Sequence, residues 1–251
     1  MNKSRVALVT GAARGLGAGI ARELALAGHP VVLADVLDQV EATAEALRRD
    51  GFEARAVRLD VSDEKAVTAL PVALGDWWGR LSVLVNNAGI SPKVDGRKRM
   101  VQDIPLDEWN RVMAVNLTGP FLLSRLCIPN MRAQGWGRIV MITSQAAHVP
   151  SSITGAYYGA SKAGLMALGR NLAMELGPFG ITVNNVAPGR INSDMVAGAA
   201  PGMNEAFLAR IPVGRLGEAS DVGKAVAFLA SDNASYLNGT TIDVGGGSYM
   251  P

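Results

Sequence analysis

The sequence predicts an α/β fold, a doubly wound parallel sheet with helices on both faces. Three observations predict it. Short β-branched runs alternate with longer helical patterns along the whole chain. The runs Val6-Ala7-Leu8-Val9 and Val83-Leu84-Val85 are apolar without alternation, as strands buried on both sides must be. A glycine-rich turn follows the first of these runs and opens the first helical pattern.

The elements follow in order. Val6 to Thr10 reads as the first strand, feeding a helix from Leu16 to Ala27; Val31 to Ala34 and Val40 to Arg49 form the second pair. Ala54 to Arg58 and Glu64 to Trp77 form the third, and a strand at Val83 to Val85 leads to a helix over Leu106 to Leu126. Ile139 to Ile142 precedes a helix over Tyr157 to Leu176, and Thr182 to Val186 is a further strand. A helix over Asp221 to Ala230 and a strand over Thr241 to Val244 close the pattern. No composition shift, repeat or linker divides the chain, so residues 1–251 read as one catalytic domain. Ser91 to Pro105 and Arg190 to Gly217 are too long and irregular for mere connections. Both follow strand C-termini, where open α/β sheets place ligands, and they are the candidate substrate loops.

Composition excludes several classes. The 24 basic and 22 acidic residues leave a formal charge of +2, and no Lys/Arg run resembles a nucleic-acid arm or a membrane-surface helix. Aromatic residues make up only 5% of the chain, too few for a base-stacking platform, so no nucleic-acid partner is expected. One cysteine, Cys127, forms no internal disulfide, and two isolated histidines, His29 and His148, do not assemble a metal site. A cytoplasmic location follows from that cysteine usage. Val6 to Val9 is too short for the apolar part of a signal peptide. The longest uncharged stretch, Ile139 to Ser161, is interrupted by Ser, Thr, Gly and Tyr, so no membrane association is expected.

The turn Thr10-Gly11-Ala12-Ala13-Arg14-Gly15-Leu16-Gly17 has the physics of a pyrophosphate cradle. Glycines permit a tight turn and close backbone approach, and a helix N-terminus faces the anion. Asp35 ends the second strand, 18 residues after Gly17. A carboxylate there accepts hydrogen bonds from both adenosine ribose hydroxyls and repels a 2′-phosphate, which favours NAD over NADP. Arg14 is the counter-signal, since a guanidinium can pair with that phosphate.

Tyr158 and Lys162 stand at i and i+4, on one helix face. A nearby ammonium favours phenolate and so lowers a phenol's pKa from about 10, fitting Tyr158 to exchange a proton with a carbinol or carbonyl oxygen while hydride moves. Ser144 follows the Ile139 to Ile142 strand and faces the same crevice, able to orient that oxygen. Asn116 lies inside a predicted helix, where its amide is better used to hold a water or to break the backbone register.

With these residues the chain resembles the short-chain dehydrogenase/reductase family of roughly 250-residue enzymes. The matching signals are Thr10-Gly11 to Gly17, Asp60, Asn86-Asn87-Ala88-Gly89, Asn116, Ser144, Tyr158 to Lys162 and Pro188-Gly189, in order and over nearly the whole length. The resemblance implies a Rossmann-type sheet, a nicotinamide cofactor and the catalytic tetrad Asn116, Ser144, Tyr158 and Lys162. It implies that Lys162 also binds the nicotinamide ribose and that Asn116 holds a water in a proton relay. Gly11, Arg14, Gly15, Leu16, Gly17, Asp35 and Gly89 would bind the dinucleotide, with Asp60 and Val61 flanking the adenine and Asn87 the adjacent ribose. Pro188, Gly189 and Ile191 would meet the nicotinamide, joined by Ser193 where the family usually has Thr. It also points to a homotetramer built by pairing the two long helices and by C-terminal contacts. The interval from Ser144 to Tyr158 is one residue longer than common, and Tyr157 adjoins Tyr158; only Tyr158 has a lysine at i+4.

For the substrate, the expectation is a secondary alcohol or ketone of a small polar molecule such as a sugar, polyol or hydroxy/keto acid. The alternative within the family is an NADPH-dependent 3-oxoacyl-[acyl-carrier-protein] reductase, which Arg14 and the stretch Asp243 to Met250 resemble. The two arginines that such enzymes present to an acidic carrier are replaced by Gly135 and Phe179. The basic loop Ser91 to Arg99 can steer an anion or simply be solvated. His148, beside the Ser144 strand end, is a candidate pocket or surface histidine. The alternative of another class, a non-catalytic dinucleotide sensor, needs the glycine turn and Asp35 but gives no reason for Asn116, Ser144, Tyr158 and Lys162 to occur together.

Overall fold

The computed structural model describes residues 5–192 and 207–251. Seven strands are present there: β1 (Val6–Thr10), β2 (Val31–Asp35), β3 (Ala54–Arg58), β4 (Leu81–Asn86), β5 (Gly137–Ile142), β6 (Ile181–Pro188) and β7 (Thr241–Val244). They form one sheet in the order β3-β2-β1-β4-β5-β6-β7, with every neighbouring pair parallel. All residues of β1, β4, β5 and β6 are buried, which is why their sequences do not alternate.

The helices are α1 (Gly15–Leu26), α2 (Gln39–Arg49), α3 (Glu64–Thr68), α4 (Leu70–Leu74), α5 (Leu106–Met113), α6 (Gly119–Gln134), α7 (Ala156–Leu176) and α8 (Ala219–Leu229). Ile20 and Leu24 of α1, Leu47 of α2 and Val226 of α8 pack on one face of the sheet against Val9, Leu33 and Val85. Leu123 and Met131 of α6 and Leu165 and Leu172 of α7 cover the other face, against Leu8, Val32 and Leu84. Strand order reverses between β1 and β4, and this opens a crevice at the strand C-termini.

Two predicted helices differ. The expected Glu64 to Trp77 helix is broken into α3, α4 and a 3₁₀ turn over Gly75–Arg80. Pro71 in the first turn of α4 has no N–H to continue α3, and Gly75 at φ 54° ends α4. The expected Leu106 to Leu126 helix is α5 and α6 joined by a π-helical turn over Ala114–Thr118, and it runs on through Pro129 to Gln134. Burial of Cys127 and Met131 on either side of Pro129 offsets the hydrogen bond that the proline removes. The continuous stretch Leu106–Gln134 is long and apolar enough to cross a membrane by length and composition alone. Here its apolar face is a core contact of β4 and β5.

Burial along α7 extends around more than one stripe. Leu165, Met166, Leu172 and Leu176 are all buried, Leu168 packs on the core, and Met174 stands out, 77% exposed. The sheet and α5 together take up more of the helix circumference than a single sheet contact would.

Candidate active site

The crevice is closed at its base by short side chains. Thr10 Oγ1, at the end of β1, accepts the N–H groups of Asn87 and Ala88, both at 3.0 Å, and donates to the Val85 carbonyl at 3.3 Å. Asn87 Nδ2 in return donates to the carbonyls of Thr10 at 2.7 Å and Gly11 at 3.1 Å. The ends of β1 and β4 are thus tied together where the sheet order reverses. Gly11 and Gly15 take φ of 65° and 56°, and a side chain at Gly17 would collide with the Gly11 carbonyl, so the turn and its approach to α1 require glycine.

Above this base lies a cleft of about 770 Å³. Every sequence-predicted site residue from Gly11 to Ile191 lines it, with the exception of Asn116, which is buried behind its wall. Ser193 lies outside the described residues. The volume suits a cofactor plus a small substrate group, and the residues fit a dinucleotide: a glycine cradle at the N-terminus of α1, with acidic side chains beyond it. Asp35 is oriented by the backbone, its Oδ2 accepting Ala13 N–H at 2.9 Å and its Oδ1 Leu37 N–H at 3.1 Å. Asp60 Oδ1 likewise accepts both the backbone N–H (2.9 Å) and the hydroxyl (2.6 Å) of Ser62, which fixes the wall that Val61 shares.

At the other end stand Tyr158, Ser144 and Lys162. Ser144 caps the 3₁₀ turn Gln145–Ala147 directly after β5, its Oγ accepting Ala146 N–H at 3.1 Å. Burial raises the Tyr158 pKa, and a hydrogen bond with the Ser144 side chain pulls it back down. The expectation that Lys162 depresses this phenol needs correction. The Lys162 ammonium is itself buried, which lowers its pKa to about 8, and Nζ donates to the Ile142 carbonyl at 2.7 Å, lying 5.7 Å from the Tyr158 ring centroid. Gly89 leaves the space beside it: a Cβ there would sit 3.3 Å from Lys162 Nζ.

Tyr157, unlike its neighbour, does not line the cleft. It is fully buried and its hydroxyl donates to the Pro92 carbonyl at 2.8 Å. Asn116 breaks the register, at the centre of the π-helical turn. Its Oδ1 accepts Ile90 N–H at 2.8 Å, and its Nδ2 donates to Ile90 O at 3.0 Å and Ser161 Oγ at 3.1 Å.

Further residues gather at the site, among them His148, the basic loop and the Asp243 to Met250 stretch that the sequence singles out, and Gln145, Arg111 and Arg210, which it does not. Ser248 from the C-terminal segment lines the cleft and accepts from Gln145 Nε2 at 2.9 Å; beside it His148 Nε2 lies 3.3 Å from Asp243 Oδ1, and the His148 ring stacks on Tyr249 at 4.8 Å. Arg111 and Arg210 line the cleft from α5 and from the second long loop, and Lys93 from the first. Arg111 could have been found from its i, i+4 spacing to Val115 on the helix that carries Asn116; Gln145 carries no local signal.

The family profile described as "Enoyl-(Acyl carrier protein) reductase" matches residues 11–249. The chain is a short-chain dehydrogenase/reductase. As a member of that family it is an oxidoreductase that moves hydride between a nicotinamide cofactor and a CH–OH or keto group. This short-chain dehydrogenase/reductase is 40% identical to a 3-oxoacyl-[acyl-carrier-protein] reductase of Pseudomonas aeruginosa, over 99% of this chain and 98% of the relative. It is 41% identical to a cis-4-hydroxycyclohexanecarboxylate dehydrogenase of Sinomonas cyclohexanicum, over 97% and 96%. Among solved structures, a 3-oxoacyl-[acyl-carrier protein] reductase with bound NAD from Brucella melitensis superposes with a TM-score of 0.93 at 38% identity, over 100% of this chain and 93% of that one.

Proposed function

We propose that this enzyme reduces the ketone of a 3-oxoacyl thioester to the 3-hydroxy compound, reversibly, with NADH preferred to NADPH. The observation that carries the reading is the convergence of Tyr158, Ser144 and Lys162 at the cleft end opposite Asp35. The cofactor, when bound, supplies the hydride. Tyr158 Oη donates its proton to the carbonyl oxygen, which Ser144 Oγ orients; the phenolate left behind is stabilised by the Ser144 hydroxyl and is reprotonated from solvent, while Lys162 would hold the nicotinamide ribose. Asn116 positions the wall through Ile90 and, as family membership implies, holds a water of the proton relay.

The full-length relatives favour the acyl substrate over a sugar or polyol. Although arginine is absent at Gly135 and Phe179, the Arg132 guanidinium lies 3.8 Å over the Phe179 ring and brings a cation to that corner of the surface. A second reading, oxidation of a small hydroxy acid, is favoured by the similarity to the hydroxycyclohexanecarboxylate enzyme. The preference for NADH rests on Asp35, whose carboxylate is held at the cleft wall by two backbone N–H groups.

Residues 91–105 and 190–217 act as the substrate loops of a single 1–251 domain, the second pinned at its base where Ile191 bridges to Gly217. The enzyme works as a cytoplasmic homotetramer, and the exposed Leu106, Phe121 and Met174 on α5, α6 and α7 supply part of the contact. Initial rates with 3-oxobutyryl thioesters and with a hydroxy-acid panel, each with NAD(H) and NADP(H), test the proposal. Turnover of hydroxy acids without thioester reduction would reverse the order of the two readings, and absence of both would refute them.

A further inference from the structure

The carboxylates that line the cleft are gathered at one end, where Arg14 of the glycine turn also stands. Among the described residues its acidic side chains are Asp35 and Asp60, and both stand at the adenosine end, after β2 and β3. The other end presents cations from three separate elements: Lys93 from the loop after β4, Arg111 from α5, and Arg210 with Arg190 from the segment after β6. Arg190 stacks over Phe207 at 4.8 Å. Lys93, Arg111 and Arg210 form no ion pair among the described residues. By contrast, their loop neighbours Lys98 and Arg99 are occupied, by the Ser151 carbonyl and by Glu108.

Three cations that line the cleft away from its two carboxylates, none of them ion-paired among the described residues, leave positive potential there for an anion to meet. The cofactor's pyrophosphate already has the N-terminus of α1 and the glycine turn. We propose that Lys93, Arg111 and Arg210 form a subsite for an anionic group of the substrate, remote from the reacting carbon. This rests on the hydride-transfer reading above and adds the charge of the substrate to it. The same chemistry fits two sources, the carboxylate of a small oxo or hydroxy acid and the phosphate on the pantetheine arm of an acyl carrier.

Matched ketone substrates separate these. Steady-state kinetics are measured with a 3-oxobutyryl pantetheine thioester, its 4′-phosphorylated form, a small oxo acid and a neutral ketone ester, at low and at 0.5 M salt. The proposal expects one or both anionic substrates to have the higher kcat/KM and to lose it steeply with salt, while the neutral compounds barely respond. It expects Lys93→Gln, Arg111→Gln and Arg210→Gln each to raise KM for the preferred anion by about 3- to 10-fold, with kcat preserved. Preference for the phosphorylated thioester assigns the subsite to a carrier arm, and preference for the oxo acid assigns it to a carboxylate.

Two results would overturn the idea. One is equal salt response and equal KM for charged and neutral substrates. The other is a rise in the NADH dissociation constant matching the rise in KM, which would assign the cations to the cofactor. Turnover of the neutral ester by the variants reports that fold and hydride transfer are intact, so loss of the subsite is distinguishable from failure of the enzyme reading.

Discussion

His148 Nε2 and Asp243 Oδ1 face each other at 3.3 Å, neither with a hydrogen-bonding partner among the described residues, and they bring the turn that carries Ser144 against the last strand. Burial raises the Asp243 pKa, and His148 holds it partly back. A carboxyl raised on folding contributes stability that is fully present below its unfolded pKa and is lost as pH rises through the folded one. His148→Ala removes the restraint, so its deficit in stability against wild type should widen as pH rises from about 4 towards neutrality. A loss of about 1 kcal/mol is expected for a partly exposed pair that forms no hydrogen bond. Chemical denaturation at several pH values measures it, and a deficit independent of pH would leave His148 only a packing role.

Lys162 gives the opposite sign. Its pKa falls to about 8 on burial, so the folded protein disfavours its charged form, and stability rises as pH climbs from about 8 to the ordinary lysine value. Lys162→Met should abolish most turnover yet raise the melting temperature of the cofactor-free protein at pH 7 by several degrees. That gain should shrink as pH approaches 10. Thermal melts at pH 7 and pH 10 check both statements.

The paired tyrosines make a sharper contrast. Tyr158→Phe should lower kcat by at least about 100-fold with NADH binding retained. Tyr157→Phe loses the bond to the Pro92 carbonyl and the contact with Glu108, so about 1 kcal/mol of stability goes and turnover stays within a few-fold of wild type. Reversed results would move the acid–base role to Tyr157.

Cofactor choice is read at Asp35. The wild-type ratio of kcat/KM for NAD(H) over NADP(H) should exceed about 10, and Asp35→Ser should narrow it by a similar factor by removing the charge that opposes a 2′-phosphate. A wild-type preference for NADP(H) would show that Arg14 outweighs the carboxylate.

Assembly is checked by light scattering after size exclusion at micromolar concentration. A tetramer of the 26.2 kDa chain is expected, and Met174→Glu on α7 should reduce it to a smaller species. A wild-type monomer would leave these apolar side chains as isolated surface residues.

Periodicity and glycine placement made the sheet, its parallel sense and the cofactor end of the cleft legible from sequence, because those features are local. A buried strand must be apolar, a tight turn needs glycine, and Tyr158 and Lys162 are one helical turn apart whatever surrounds them. Tertiary structure decided what depends on distant neighbours. It turned Lys162 towards the Ile142 carbonyl, spent the Tyr157 hydroxyl on Pro92, locked Asn116 onto Ile90 and Ser161, and brought Ser248 and Asp243 to the turn after Ser144. It also gathered Lys93, Arg111 and Arg210 from three elements into one cleft. Each of these depends on desolvation or on the meeting of segments far apart in the chain, and neither composition nor spacing encodes it.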